Sequence, residues 1–179
     1  SMSSAAASCP EDWPYPVLIR TLGPFEIVRD GEAIRFPRKA PRKPLDLLKA
    51  LIVSGGKNVS AHRLSDALWP DAEGDAAYSS FRVHLHHLRK LLGSEEAILV
   101  KDGRVTLNLE YCRLDLAVFQ HLAARSMEAR SRGREADAEE AMRFARRAIA
   151  VYRGNFLGDE EGYPEVAAFR ERLRSKFIH

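Results

Sequence analysis

The sequence of 179 residues lacks the features that mark several large classes of protein. It has no run approaching the ~18 apolar residues that a membrane span requires. Its N-terminus has neither the basic nor the apolar stretch of a secretory signal. It has two cysteines, Cys9 and Cys112, and Cys9 lies in a segment expected to be a tail. We therefore expect no structural disulfide and no membrane partner, and the composition fits a cytoplasmic protein in a reducing environment.

The signatures of catalysis are missing as well. Gly55-Gly56-Lys57 lacks the first glycine and the strand–loop–helix setting of a phosphate-binding loop. No nucleophile elbow stands out. The acidic pairs Glu139-Glu140 and Glu160-Glu161 are better explained as solvated faces than as catalytic carboxylates. These absences predict that the protein is not an enzyme and has no cofactor.

A histidine-rich stretch raises the question of a metal site. His84, His86 and His87 are close in sequence, but positions i and i+2 do not share a helical face. No cysteine or carboxylate lies near them in the sequence. We therefore predict no metal site.

Charge of either sign is not in large excess. There are 28 lysines and arginines against 25 acidic residues, and the net charge is +3. Because bulk charge does not mark this chain as a nucleic-acid binder, any such interpretation depends on where the charges lie.

The N-terminal third of the sequence has the pattern of short strands. Apolar and polar residues alternate in Phe25–Arg29 and Glu32–Phe36, and Val17–Leu22 precedes them. The turn dipeptides Gly23-Pro24 and Asp30-Gly31 separate these segments. We predict a three-stranded antiparallel meander, preceded by a disordered tail over residues 1–15.

Three helical patterns and a hairpin follow the meander. The first helix begins at Lys43-Pro44, because proline is tolerated in a first helical turn. The second can be capped by Ser60 and stops at Trp69-Pro70. The third is predicted over 76–92. A hairpin is predicted over 98–107, with Asp-Gly near its tip. From residue 114 the pattern is helical, in segments of about 114–132, 136–152 and 164–177.

The third helix has two contrasting faces. The apolar stripe expected to face the core consists of Tyr78, Phe81, Leu85, Leu88 and Leu92. The other side carries polar, basic and small side chains: Ser79, Ser80, Arg82, Val83, His86, His87 and Lys90. The helix has no acidic residue. A helix that reads a DNA groove needs these two faces.

Individual side chains on the polar face suit DNA contacts. Arg82 can donate two hydrogen bonds to a guanine edge, Ser79 and Ser80 can donate to phosphate or base, and Val83 can contact a thymine methyl group. The remaining members of the face are expected to flank the backbone, together with a further histidine; these are His84, His86, His87 and Lys90. This helix is therefore predicted to lie in the major groove.

Two further groups of cations could contact phosphates. Lys101 and Arg104 flank the predicted hairpin tip, which can reach the adjacent minor groove or the backbone. A basic cluster precedes the first helix and consists of Arg38, Lys39, Arg42 and Lys43. A solvated helix face and a solvated basic loop are the alternative interpretations of the same residues, and the order of strands, three helices and hairpin favours DNA binding.

The same residues resemble a known family. Leu22-Gly-Pro-Phe-Glu-Ile27, Leu64-x-x-Ala67-Leu68-Trp69 and Val83-x-Leu85-x-x-Leu88-Arg89-Lys90-Leu91-Leu92 look like the OmpR/PhoB-type DNA-binding domain. They are more similar still to the version of this domain in SARP-type regulators. Leu114-Asp115-x-x-x-Phe119 and Ala148-x-x-x-Tyr152-Arg153-Gly154-x-x-Leu157 resemble the start of the bacterial transcriptional activator domain.

The resemblance implies both an architecture and a set of site residues. It implies an α+β winged helix-turn-helix over residues 16–110, followed over 111–179 by part of an all-α, TPR-like activator domain. It places seven residues at recognition-helix positions: Ser79, Ser80, Arg82, Val83, His86, His87 and Lys90. Many relatives have two arginines where His86 and His87 stand. Because histidine side chains are mostly neutral at pH 7, phosphate affinity here is expected to be lower and pH-dependent.

These observations predict a transcriptional regulator that binds double-stranded DNA in a sequence-specific way. RNA polymerase or a second copy of the chain is the expected partner of the helical segment. Relatives have a longer activator domain, so we expect the protein to continue past His179 and the last helix to expose Phe169, Leu173 and Phe177, or to pair them with another copy. The competing hypothesis is a protein–protein adaptor whose winged helix does not bind DNA.

Overall fold

The computed structural model describes residues 15–39, 42–160 and 164–177. All of the predicted tail except Tyr15 therefore lies outside the described residues. Within the described ranges, no helix is both long and apolar enough to cross a membrane. The chain divides into two units, which we call the central unit, residues 35–112, and the two-segment unit, which combines the residues up to Ile34 with those from Arg113 onward.

The helices of the central unit begin and end where the local sequence predicts. They are α1 (Lys43–Val53), α2 (Ala61–Leu68) and α3 (Ala76–Leu92). Pro44 lies in the first turn of α1. The Ser60 hydroxyl accepts a hydrogen bond from the backbone N–H of Arg63 and so caps α2. Gly93 ends α3 in the left-handed conformation, with φ of 91°, which glycine adopts at low cost.

The central unit also contains a three-stranded sheet. Its strands are β4 (Val59–Ser60), β5 (Ile98–Lys101) and β6 (Arg104–Leu107), in the order β4-β6-β5. A 3₁₀ turn, Glu95–Ala97, connects α3 to β5. Strands β5 and β6 form the predicted hairpin, hereafter the wing, and Lys101 pairs with Arg104 at its tip. β5 is therefore an edge strand.

The two-segment unit contains a four-stranded sheet, whose last strand begins one residue before Arg113. Its strands are β1 (Val17–Arg20), β2 (Glu26–Arg29), β3 (Glu32–Ala33) and β7 (Cys112–Leu114), in the order β3-β2-β1-β7. The meander forms as predicted, although its third strand is shorter than the alternating segment that predicted it. Cys112 is a free, buried cysteine, and burial raises the pKa of its thiol to about 12.

A buried aspartate joins the two segments of this unit. The carboxylate of Asp115 accepts hydrogen bonds from the backbone N–H groups of Thr21, Leu22 and Leu116 at 2.8–2.9 Å, and from the Thr21 hydroxyl at 2.9 Å. Burial raises the pKa of Asp115 above its ordinary value, and these donated bonds oppose the shift. Asp115 thus satisfies the backbone donors at the point where β1 ends.

Three helices complete the two-segment unit: α4 (Asp115–Ser131), α5 (Glu135–Val151) and α6 (Pro164–Phe177). Helices α4 and α5 form an antiparallel pair, in which the Ser126 hydroxyl donates to the carbonyl of Ala141. The loop after α5 returns to the N-terminal segment, where Leu157 N–H donates to the carbonyl of Thr21 at 2.7 Å.

The expectation that α6 exposes its apolar stripe is wrong. Leu173 is 4% exposed, and Phe169 and Phe177 are half-buried. The Phe169 ring lies 4.7 Å from that of Phe156, and the Phe177 ring lies 5.6 Å from that of Phe119. The stripe therefore packs inside its own unit, because the loop after α5 and the start of α4 supply the aromatic surface that it covers.

The grouping of the strands differs from the predicted boundary at residue 110. The meander belongs to the same unit as α4–α6, whereas α1–α3 and the wing form the other unit. The physical reason is the hydrogen bonding and strand pairing described above, which connects residues 17–23 with residues 112–116 and 155–157.

Candidate nucleic-acid interface

The buried face of α3 anchors the helix in the central unit. Phe81, Leu85, Leu88 and Leu92 are at most 6% exposed, as the sequence pattern predicts. Tyr78, expected in the same stripe, is half-buried and its ring stacks on His62 of α2 at 5.0 Å. The orientation of α3 is thus set by apolar burial along most of its length and by a ring contact at its start.

The opposite face of α3 is open to solvent. Six of the seven predicted recognition residues are exposed on it, and Ser80 is half-buried; the exposed six are Ser79, Arg82, Val83, His86, His87 and Lys90. Val83, the one apolar member of this group, is 53% exposed. The structure therefore brings the predicted residues together on one helical face.

His84 does not belong to this face. Its ring is half-buried and lies 5.1 Å from the ring of Trp69, and its Nδ1 donates to the carbonyl of Ser80 at 2.7 Å. His84 therefore packs against the end of α2, and its expected position beside a DNA backbone stays a prediction. Position 84 lies between the core stripe and the solvent face, so Trp69, which ends α2, is able to cover it.

The wing presents its two predicted cations at an ordered tip. Asp102 and Gly103 both have positive φ, 51° and 72°, as a tight two-residue hairpin turn requires. Lys101 and Arg104 are exposed on either side of this turn. An Arg104 Nη lies 3.5 Å from the carbonyl oxygen of Asn58. Leu99 and Val100 are also exposed, at 45% and 37%.

The basic cluster before α1 divides into two kinds of residue. Arg42 is exposed at the start of α1, and Arg38 and Lys39 are exposed in the loop. The Nζ of Lys43, by contrast, donates to the carbonyl of Leu68 at 2.9 Å and lies 5.7 Å from the centre of the Trp69 ring. Lys43 therefore has a structural role at the end of α2.

The sequence pattern does not identify Arg89 as a site residue. Its Nε and Nη2 donate to the carbonyl of Ile98 at 3.0 and 2.6 Å, which connects α3 with the first residue of the wing. It occurs in the Leu88-Arg89-Lys90 motif, but the pattern does not distinguish an exposed arginine from one that is bound to the backbone.

Acidic side chains border the wing and are absent from α3. Glu95 and Glu96 line an open groove of about 590 Å³ beside the wing, together with Arg89, Lys101 and Arg104. Among the described residues, no group of three histidine, cysteine or acidic side chains is placed to hold a metal ion. The exposed face of α3 thus carries hydrogen-bond donors and positive charge without a neighbouring carboxylate on the same helix.

Comparison with sequences of known proteins connects both units to regulators. Residues 114–179 match the Bacterial transcriptional activator domain. The chain is 33% identical over 153 residues to Regulatory protein AfsR of Streptomyces coelicolor, and 29% identical over 152 residues to Regulatory protein AfsR of Streptomyces griseus. These matches cover 86% and 85% of this chain but 14% and 15% of the relatives. The chain thus spans about one seventh of their length.

A solved structure has the same fold. It is described as Mycobacterium tuberculosis EmbR in complex with low affinity phosphopeptide, and it aligns with a TM-score of 0.68 at 23% identity. The alignment covers 91% of this chain and 43% of that chain. The predicted fold class, a winged helix-turn-helix followed by an all-α, TPR-like segment, is confirmed. The comparisons also confirm the resemblance to SARP-type regulators.

Proposed function

We propose that this SARP-type chain is part of a transcriptional regulator and binds double-stranded DNA, with α3 in the major groove and the wing on the adjacent minor groove or backbone. The observation that carries the proposal is the solvent-exposed face of α3. It combines donors, positive charge and one exposed apolar side chain on a helix without acidic residues.

Positions along α3 divide the expected contacts. Arg82 and Val83 lie near the middle of the exposed face, where an arginine can read guanine and a valine can contact thymine. Lys90 lies in the last turn and suits a phosphate contact. Lys101 and Arg104 on the wing are suited to the backbone beside the groove.

The two-segment unit is proposed to act through protein contacts. Its match to the Bacterial transcriptional activator domain supports a role in transmitting the regulatory signal. RNA polymerase or a second copy of this chain remains the proposed partner. Because one small domain contacts few base pairs, binding as paired copies on repeated half-sites is expected.

A salt-dependent titration tests DNA binding directly. A fluorescent duplex of mixed sequence is titrated with the 179-residue chain at several salt concentrations, and anisotropy gives the dissociation constant. If the cations at positions 42, 90, 101 and 104 each neutralise one phosphate, log K should fall with log salt with a slope of about −3.6. A dissociation constant that does not change with salt concentration, or absence of binding, contradicts the proposal and favours a protein–protein adaptor.

Selection of bound sequences from a random duplex pool then tests sequence specificity. A helix that reads base edges should enrich a short motif with guanine among its positions, because arginine recognises the O6 and N7 atoms of guanine. A pool that remains random after selection, despite salt-dependent binding, would restrict the function to non-specific contact with the backbone.

A further inference from the structure

The wing is held to α3 by one side chain in addition to the chain connection. Arg89 lies in the last turn of α3, and its guanidinium donates twice to the carbonyl of Ile98, at 3.0 and 2.6 Å. Ile98 is the first residue of β5 and is fully buried. Two bonds from one planar cation fix both the distance and the orientation of the strand that they contact.

The bonded carbonyl lies on the outer side of the wing. Leu107 N–H, opposite Ile98 in the hairpin, donates to the carbonyl of Gly56. Leu107 therefore directs its polar groups away from β5, and the pair Ile98–Leu107 is one that exchanges no hydrogen bonds. Ile98 consequently directs its own carbonyl toward the open edge of the sheet, where Arg89 occupies it.

The two strands of the wing are supported unequally. β6 is the central strand, pairs with β4, and its Thr106 hydroxyl accepts from Asn58 N–H at 3.0 Å. β5 pairs with β6 on one side alone, and Arg89 bonds it on the other. Lys101 is on β5. The position of Lys101 therefore depends on Arg89 more directly than the position of a residue on β6 does.

We infer that Arg89 is a positioning residue, which fixes β5 relative to α3 and so allows Lys101 to contact DNA while α3 lies in the groove. This inference rests on the proposed function. It predicts energetic coupling between Arg89 and Lys101 in duplex binding, although Arg89 bonds the backbone of β5 and Lys101 is the residue proposed to contact DNA.

A double-mutant cycle on the full chain measures this coupling. Lys101→Ala is introduced into the wild-type chain and into Arg89→Met, which keeps side-chain length and removes the donors. Lys101→Ala should raise the dissociation constant for the duplex in both backgrounds. The factor of increase should be at least about threefold smaller in the Arg89→Met background than in the wild-type background. Arg82→Ala provides the control, and its effect should be the same in both backgrounds, because Arg82 lies on α3 itself.

A measurement without DNA tests the positioning role independently. Amide hydrogen exchange should be faster in β5 of Arg89→Met than in the wild type, whereas exchange in α1 should be unchanged. Arg89→Lys retains the charge and can donate a single bond, so it should restore part of the protection and part of the coupling. If Arg89→Met does not fold, Arg89→Lys still permits both measurements, with smaller expected changes.

The outcomes separate this inference from the proposed function. Salt-dependent binding with additive effects of Arg89→Met and Lys101→Ala would overturn the inference and leave DNA binding intact. Unchanged exchange in β5 would overturn it as well. If the wild-type chain shows no salt-dependent binding to the duplex, both proposals fail. Coupling together with faster exchange in β5 supports the inference.

Discussion

Arg82 and Lys101 carry the same charge on different elements, and this difference determines what each can contribute. Arg82 lies on the exposed face of α3, where its guanidinium can meet base edges. Lys101 lies beside the tip of the wing, where its ammonium can contact phosphate as a point charge. Loss of the first should change sequence preference, and loss of the second should change affinity for all sequences.

Alanine substitution of Arg82 and of Lys101 should change two different properties of DNA binding. Arg82→Ala should reduce discrimination at one or two base positions by about 1–3 kcal/mol each. Lys101→Ala should weaken binding to all duplexes about equally and make the salt slope shallower by ~0.9. Both are measured by anisotropy with the selected duplex and with single-base variants of it. Arg146→Ala, which removes an exposed arginine from α5, is the control. Wild-type behaviour of both variants would show that α3 and the wing do not contact DNA.

Asp115 is the residue on which the two-segment unit most depends. Asp115→Ala removes the acceptor of three backbone N–H groups and one hydroxyl, and it leaves these donors buried without partners. We expect the free energy of unfolding to fall by about 3 kcal/mol or more. Urea denaturation measures the change. Asp159→Ala, at an exposed loop position, is the control and should change stability little. A change below about 0.5 kcal/mol for Asp115→Ala would contradict this role.

At the scale of elements, helices were easier to predict than strands. α3 begins and ends at the predicted residues, because a periodic apolar stripe and a terminal glycine both mark it. The short strands β4 and β7 were not predicted. Each has two or three residues, and each is defined by a partner strand that is distant in sequence. Such strands have no local signal that separates them from loops.

Helix α6 offers a test at the same scale. Leu173 is buried in the two-segment unit, so Leu173→Ala should lower the free energy of unfolding by about 2–4 kcal/mol. Ile149→Ala on α5 is a matched control, because Ile149 has similar size and is 71% exposed. Its effect should be within about 0.5 kcal/mol of zero. Equal effects of the two variants in chemical denaturation would mean that α6 is not packed as described.

At the scale of the whole molecule, the two-segment unit has a consequence for fragments. Residues 111–179 alone lack β1–β3 and the Thr21 and Leu22 donors that Asp115 binds. We expect this fragment to show reduced helicity and a broad, non-cooperative thermal transition by circular dichroism, in contrast to the full chain. Addition of the peptide 15–34 should restore part of the cooperativity. A fragment that unfolds as cooperatively as the full chain would contradict the grouping of the strands with α4–α6.

The sequence by itself determined the order and type of all the described helices and of five of the seven described strands, and most of the candidate interface. Apolar periodicity, caps and turn dipeptides are local signals, so the meander, the helices and the wing could be predicted from nearby residues. The exposed residues of α3 followed from the same periodicity, since the side opposite a buried stripe faces solvent.

Only the tertiary structure decided which elements belong together and which polar side chains have internal partners. His84, Lys43 and Arg89 all fit a DNA-contacting role by residue type, yet each bonds to a backbone carbonyl within the central unit. The meander joins the helical segment because Asp115 accepts bonds from residues more than 90 positions earlier. Such contacts form between residues that are distant in sequence. They therefore produce no periodic or local sequence pattern from which they could be predicted.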